Sequence, residues 1–236
     1  ALSDTIVASI VGLCEIENKF VLDKLTRGTP LKARDYRYIH YESPDARGVD
    51  VALLYIPKYF TPVSHKAICI TFPFDTIAKT RDILYIKGYL KSNSVTGDTI
   101  HIFVCHFPSR YGGLAETIIK REYTAQTVRA AADSILRAKP EAAIIIMGDL
   151  NDGPEDKSIK ETLCYDKRMI NLMNGKKGIG TLKHGAFWDI FDHIIVSESL
   201  LKGDASLNVC GGAHIGAFDF LLTEDKKYGG QKLFRT

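Results

Sequence analysis

The stretch IIIMGDLND, residues 144–152, runs an apolar block into Gly148 and then delivers Asp149, Asn151 and Asp152 almost together. A solid apolar run of this kind implies a strand buried on both faces of a sheet. Gly148 lets the backbone bend as it leaves that sheet. Asp149 and Asn151 are two residues apart, so a chain that stays extended points both to one side. Hard oxygen ligands of this kind suit Mg²⁺ or Mn²⁺. An ordinary Asx turn is the competing reading, and Asp152, just ahead of Pro154, reads as a turn or helix-entry residue.

The flanking sequence tells what sort of sheet this strand enters. Upstream, LAETIIKREYTAQTVRAAADSILRAKPE places Ile118, Ile119, Val128, Ala132, Ile135 and Leu136 mostly at helical spacing, and Pro140 ends the pattern just before the next strand. That is a strand, helix, strand unit. Further runs read as strands: IVGLCEI, YRYIHYE, VDVALLYI, ILYIKGYLK, TIHIFVCHF and FDHIIVS. A second, shorter helix is expected over roughly residues 154–163, with Pro154 in its first turn and Glu155 and Asp156 at its positive end. Short connections such as SVTGD, residues 94–98, favour mixed or antiparallel sheets over a purely parallel one. The sum is an α/β sandwich read as a single domain, residues 1–236, without repeats or linkers.

Composition narrows the partners. The 236 residues are 45% hydrophobic and 25% charged, and 31 basic against 28 acidic residues leave +3. That balance is too mild to announce nucleic-acid or membrane binding, so any basic footprint must be local. The pairs Lys176–Lys177 and Lys226–Lys227 read as solvated loops. Five cysteines carry no CxxC spacing; Cys14, Cys69 and Cys105 lie in apolar runs and read as small core residues. No segment has the length of a transmembrane helix. The compartment stays open between cytoplasm and export after removal of a signal, and a monomer is expected.

Several polar groups interrupt the strands at or near their ends. Glu15 follows an apolar run, where a buried carboxylate needs a cation or a partner, although alternation could also turn it to solvent. His106 and Arg110 follow the strand ending HIFVCHFPSR, beside the turn-forming Gly112 and Gly113; the planar guanidinium fork suits phosphate. A surface histidine is the plainer alternative. Asp192 and His193 precede IIVS, where Asp192 could ligate metal, orient a base or simply open the strand.

The order of GLCEIEN, VCHFPSR, GDLND and FDHIIVS resembles the motif order of the endonuclease/exonuclease/phosphatase superfamily, which includes DNase I-like nucleases, abasic-site endonucleases, inositol polyphosphate phosphatases and sphingomyelinases. RGVDVALLY and TRDILYIKG resemble central strands of a bacterial branch, and that mapping brings Arg47, Asp50 and Arg81 near the site. The resemblance implies a DNase I-like four-layer α/β/β/α sandwich of two mixed, mainly antiparallel sheets. It implies Mg²⁺ or Mn²⁺ held by Glu15, with His106, Asp149, Asn151 and Asp192 catalytic and Arg110, Arg81 and Asn151 binding phosphate. On this pattern Asp149 orients or deprotonates the attacking water and Asp192 holds a second histidine.

The chain departs from the family pattern in lacking an opening strand with an Asn and a terminal Ser-Asp-His strand; His214 and Asp219 do not match that motif. The expected function is a metal-dependent phosphoesterase, possibly a nuclease. The alternatives are a phosphatase or phosphodiesterase on a small metabolite or lipid head group, and a non-catalytic binding module that keeps the fold.

Overall fold

The computed structural model describes residues 8–91, 98–202 and 207–234. In chain order the first strands and helix are β1 (Ile10–Ile16), α1 (Lys19–Arg27), β2 (Arg37–His40), β3 (Asp50–Tyr55), β4 (Phe60–Ile68), β5 (Ile83–Leu90) and β6 (Asp98–His106). Then follow α2 (Leu114–Ala138), β7 (Ala143–Asp149), β8 (Met169–Asn171), β9 (Leu182–His184), β10 (Phe187–Asp189), β11 (Asp192–Ser197), β12 (Leu222–Glu224) and β13 (Gln231–Leu233). One sheet is ordered β1-β3-β2 and a larger one β4-β5-β6-β7-β11-β8. Among the described residues only β6 and β7 pair in parallel, joined by α2 as a crossover; the other strand pairs are antiparallel.

Three layers of apolar contact stack the elements into the expected α/β/β/α sandwich. Leu22 of α1 packs on Ile16, Ala52 and Leu54. Strand alternation turns the neighbouring Val51 and Leu53 the other way, onto Ile86, Ile102 and Val104 of the larger sheet. On the far side, Phe103, Cys105, Ile144 and Ile146 meet Val128, Ala132 and Leu136 of α2. The run IIIM is therefore covered twice, since Ile145 and Met147 pack between the sheets while Ile144 and Ile146 face the helix.

Some local expectations change. Ile118 and Ile119 are exposed, because the first turns of α2 instead turn the fully buried Arg121 inward. The segment after Pro154 is a turn followed by a π-helix over Ser158–Leu163, not a helix from residue 154. Asp156 explains the delay: its carboxylate accepts from Gly153 N and Arg110, and so holds the chain in a turn. Cys69 lies exposed just past β4, while Cys105 is buried and Cys14 half-buried, and all five cysteines are free. The turn anticipated at residues 94–98 falls mostly outside the described residues, although β5 and β6 pair antiparallel on either side of it.

The sequence reading missed helix α1, strand β4 and the three-residue strands β8, β9, β10, β12 and β13. Helix α1 is short, with Asn18 accepting from Val21 N to cap it. Strand β4 is largely exposed and carries Pro62, which is tolerated because β4 is a sheet edge with a bulge at that point. Among the described residues, no helix is long and apolar enough to cross a membrane.

Candidate active site

The strand registers bring the expected residues to one level. Asp149 faces His106 on one side and Asp192 on the other. Backbone bonds stitch these strand ends together: Phe107 N donates to Asp149 O at 2.9 Å, and Leu150 N to Phe191 O at 2.7 Å. Gly148 is required here for closeness as well as bending. Its φ is +127°, and a Cβ would come 2.0 Å from the carbonyl oxygen of Cys105.

Beyond Asp149 the extended conformation does not persist, and the competing Asx turn is what forms. Asn151 has φ 51°, in the left-handed region that Asn tolerates, and its N–H donates to Asp149 Oδ1 at 2.9 Å. The Asx turn is therefore real, and it organises the site: Asn151 Nδ2 donates to Phe107 O at 3.1 Å, fastening the curled loop to the strand end that bears His106.

Glu15 reaches the same place by another irregularity. The β1–β3 register shifts between Leu13 and Ile16, and Glu15 has φ 59°. Such a bulge takes a side chain out of strict alternation and re-aims it. Glu15 is exposed, yet close enough to Asp149 for its charge to be felt there. Burial, then Asp192, and more weakly Glu15 push the Asp149 carboxyl up to about 7, against the Asn151 N–H and Arg81. Asp192 is also raised, by desolvation first, and is partly relieved by Thr181.

His106 moves the opposite way. Burial, followed by the charges of Arg81 and Arg47, lowers it to about 3 against the pull of Asp45. The imidazole is thus neutral near pH 7, with Nε2 3.7 Å from Asp149 Oδ2 and Nδ1 without a hydrogen-bond partner. Neutral imidazole still offers one N–H to a ligand.

The two arginines expected at phosphate are held by protein acceptors. Arg81, 4% exposed, donates to His106 O at 3.2 Å, to Phe107 O, and to Asp45 Oδ2 at 2.8 Å. Arg110 donates to Asn151 O at 2.8 Å, to Asp152 at 3.0 Å and to Asp156 at 2.6 Å, and lies over the Phe191 ring. Both position the loop and strand ends that carry His106, Asp149 and Asn151. Arg47 keeps an open guanidinium, with its side chain 53% exposed and only a 3.7 Å approach to Asp45.

Sequence reasoning missed the ionic frame behind the cleft. Asp152 is buried and meets Arg121 Nε at 2.7 Å, Arg110 at 3.0 Å and the Ser158 hydroxyl at 2.7 Å. His193 bridges Asp152 O and Asn171, tying the loop to β8. The only sequence signal for Arg121 was a charged residue in an otherwise helical apolar pattern. His214 and Asp219 are exposed.

This motif order and fold agree with the comparisons. Residues 1–236 match the Endonuclease/Exonuclease/phosphatase family. The chain belongs to that family. Its members are hydrolases of phosphate esters and nucleic acids, and several solved structures share the fold at low identity. A mannosyl-6-phosphatase from Bacteroides thetaiotaomicron superposes with TM-score 0.59 at 18% identity, covering 81% of this chain and 72% of that one. The human Nocturnin catalytic domain gives 0.58 at 17% identity, with 80% and 69% covered. D. rerio TDP2 complexed with a single-strand DNA product gives 0.54 at 14% identity, with 80% and 70% covered. None of the curated proteins compared matches the chain.

Proposed function

We propose that the protein is a divalent-metal-dependent phosphoesterase that hydrolyses a phosphate ester by in-line attack of water. The carrying observation is the common level of His106, Asp149 and Asp192 on adjacent strands, with Glu15, at the bulge in β1, near enough for its charge to act on Asp149. The donor set fits a cation: among the described residues no Lys or Arg forms an ion pair with Glu15, Asp149 or Asp192. Glu15 would hold Mg²⁺ or Mn²⁺, which polarises a phosphoryl oxygen and offsets leaving-group charge when bound.

The chain's own groups perform the remaining tasks. Asp149 takes the proton of the attacking water; a carboxyl raised toward neutral pH is a better base than an ordinary one. Burial keeps it so, helped by the like charge of Asp192. Asn151 fixes the phosphate with the amide N–H not used on Phe107, and neutral His106 donates to a phosphoryl oxygen as charge builds. Arg47, the open guanidinium beside His106, neutralises the phosphate, while Arg81 and Arg110 hold the strand and loop that present these groups.

The test is turnover of bis-p-nitrophenyl phosphate and of plasmid DNA with Mg²⁺, Mn²⁺ or EDTA. Metal-dependent hydrolysis abolished by EDTA is the expected result. Tight ligand binding with no turnover on either substrate would replace the enzyme by a binding module. Substrate affinity falling steeply with salt assigns a nucleic acid, and a shallow dependence a small phosphorylated metabolite or head group.

A further inference from the structure

We infer that His40, Glu42 and Asp50 form a separate site for a borderline divalent transition ion, Zn²⁺ or Mn²⁺, at the edge of the smaller sheet. His40 ends β2 and Asp50 opens β3, and the loop between them folds back so that one ligand atom from each residue lies within 4.8 Å of the others. His40 Nε2 and Asp50 Oδ2 are 3.1 Å apart, with both side chains almost fully buried. Two ligand atoms each about 2.0–2.2 Å from one ion stand about 3–3.5 Å apart, so this spacing suits shared coordination.

Two further observations distinguish the cluster from a simple histidine–aspartate bond. Asp50 Oδ1 is already occupied: it accepts from Ser43 N at 2.9 Å and from the Ser43 hydroxyl, which turns Oδ2 toward the imidazole. Orientation of a ligand oxygen by hydrogen bonds to its neighbour is the usual support around a bound metal. Charge is the second. Two carboxylates converge on one imidazole, and among the described residues no Lys or Arg pairs with Asp50 or Glu42.

One imidazole and two carboxylates select Zn²⁺ or Mn²⁺ over Mg²⁺, which prefers an all-oxygen shell. Glu42 is exposed, which leaves the site open to solvent on one side and a position for water. The ligand set shares no residue with Glu15, His106, Asp149 or Asp192, although Asp50 pairs with Ile16, next to Glu15 in sequence. The inference does not depend on the protein being a phosphoesterase.

The test is a Zn²⁺ titration by calorimetry in excess Mg²⁺, on the wild type and on Glu42→Gln, His40→Gln and Glu15→Gln. Wild type and Glu15→Gln are expected to bind one equivalent of Zn²⁺ that Mg²⁺ does not displace. Glu42→Gln and His40→Gln should weaken it by at least about tenfold. Glu42 is exposed, so its variant keeps the result interpretable if His40→Gln unfolds. Zn²⁺ binding unchanged in Glu42→Gln, or lost only in Glu15→Gln, overturns the site. Hydrolysis by these same variants reports on the phosphoesterase reading separately.

Discussion

Asp149, the last residue of β7, and Asp152, three residues on, live in opposite electrostatic worlds. Asp152 is buried against Arg110 and Arg121, so its charge is matched in place. Asp149 shares its cleft with Asp192 and Glu15, has no arginine of its own, and is pushed up to about 7. A third carboxylate repeats the first pattern: Asp166, despite its desolvation, is drawn down to about 2 by Arg129 and Arg168. Asp152 and Asp166 come with guanidinium partners. Asp149 and Asp192 come without, which stores unfavourable charge where a cation and a phosphate would relieve it.

Asp149→Asn breaks the comparison hardest. Removing the base is expected to lower kcat by about 10²–10⁴-fold while leaving the fold intact, measured on bis-p-nitrophenyl phosphate at saturating Mg²⁺. Activity retained with a large loss of stability would make Asp149 structural. On the paired side, Arg121→Met leaves Asp152 buried with one guanidinium fewer. A cost of about 3–5 kcal/mol is expected from urea unfolding, the range for breaking a buried ion pair. A change below about 1 kcal/mol would show that Arg110 alone satisfies Asp152.

Glu15→Gln probes the unpaired side more gently. The Mg²⁺ concentration for half-maximal activity should rise by about tenfold, with little change in kcat once metal saturates. An unchanged metal titration removes Glu15 from the site. The smallest effect concerns pH. Because folding raises the Asp149 carboxyl from 3.8 to about 7, the native state binds the extra proton between those values. Stability without metal should therefore fall as pH rises from about 4 to 7, and Asp149→Asn should remove that fall. Discounted for solvent reaching the cleft, the effect is about 1 kcal/mol, or about 2–4 °C in Tm by calorimetry in EDTA. A wild type and variant with parallel pH profiles would place the Asp149 carboxyl at its ordinary value.

Much of this was legible in the chain. The solid run IIIM announced a doubly covered strand, and it is one. The helix ended by Pro140 is the crossover of the one parallel pair. Glu15, His106, Asp149 and Asp192 were each placed at or near a strand end, and the registers bring the last three to one level. What failed did so for local reasons. Strand β4 is an exposed edge with a proline, so it carries no buried pattern to read. The left-handed turn at Asn151 and the bulge at Glu15 are single-residue departures from regular backbone, which periodicity averages away.

Arginine roles were the least readable, because a guanidinium serves a phosphate and a buried carboxylate by the same donor fork. Arg81 and Arg110 looked like ligands of substrate until their acceptors were seen to be protein. By itself the residue pattern determined an α/β sandwich, the strand that carries Asp149 and the types of residue at the strand ends, since burial period and local turn chemistry are written residue by residue; the four layers came only with the family resemblance. Only the tertiary structure decided which carboxylates are neutralised and which are left facing one another. Net electrostatic environment depends on distances between segments far apart in the chain, and no local pattern encodes those distances.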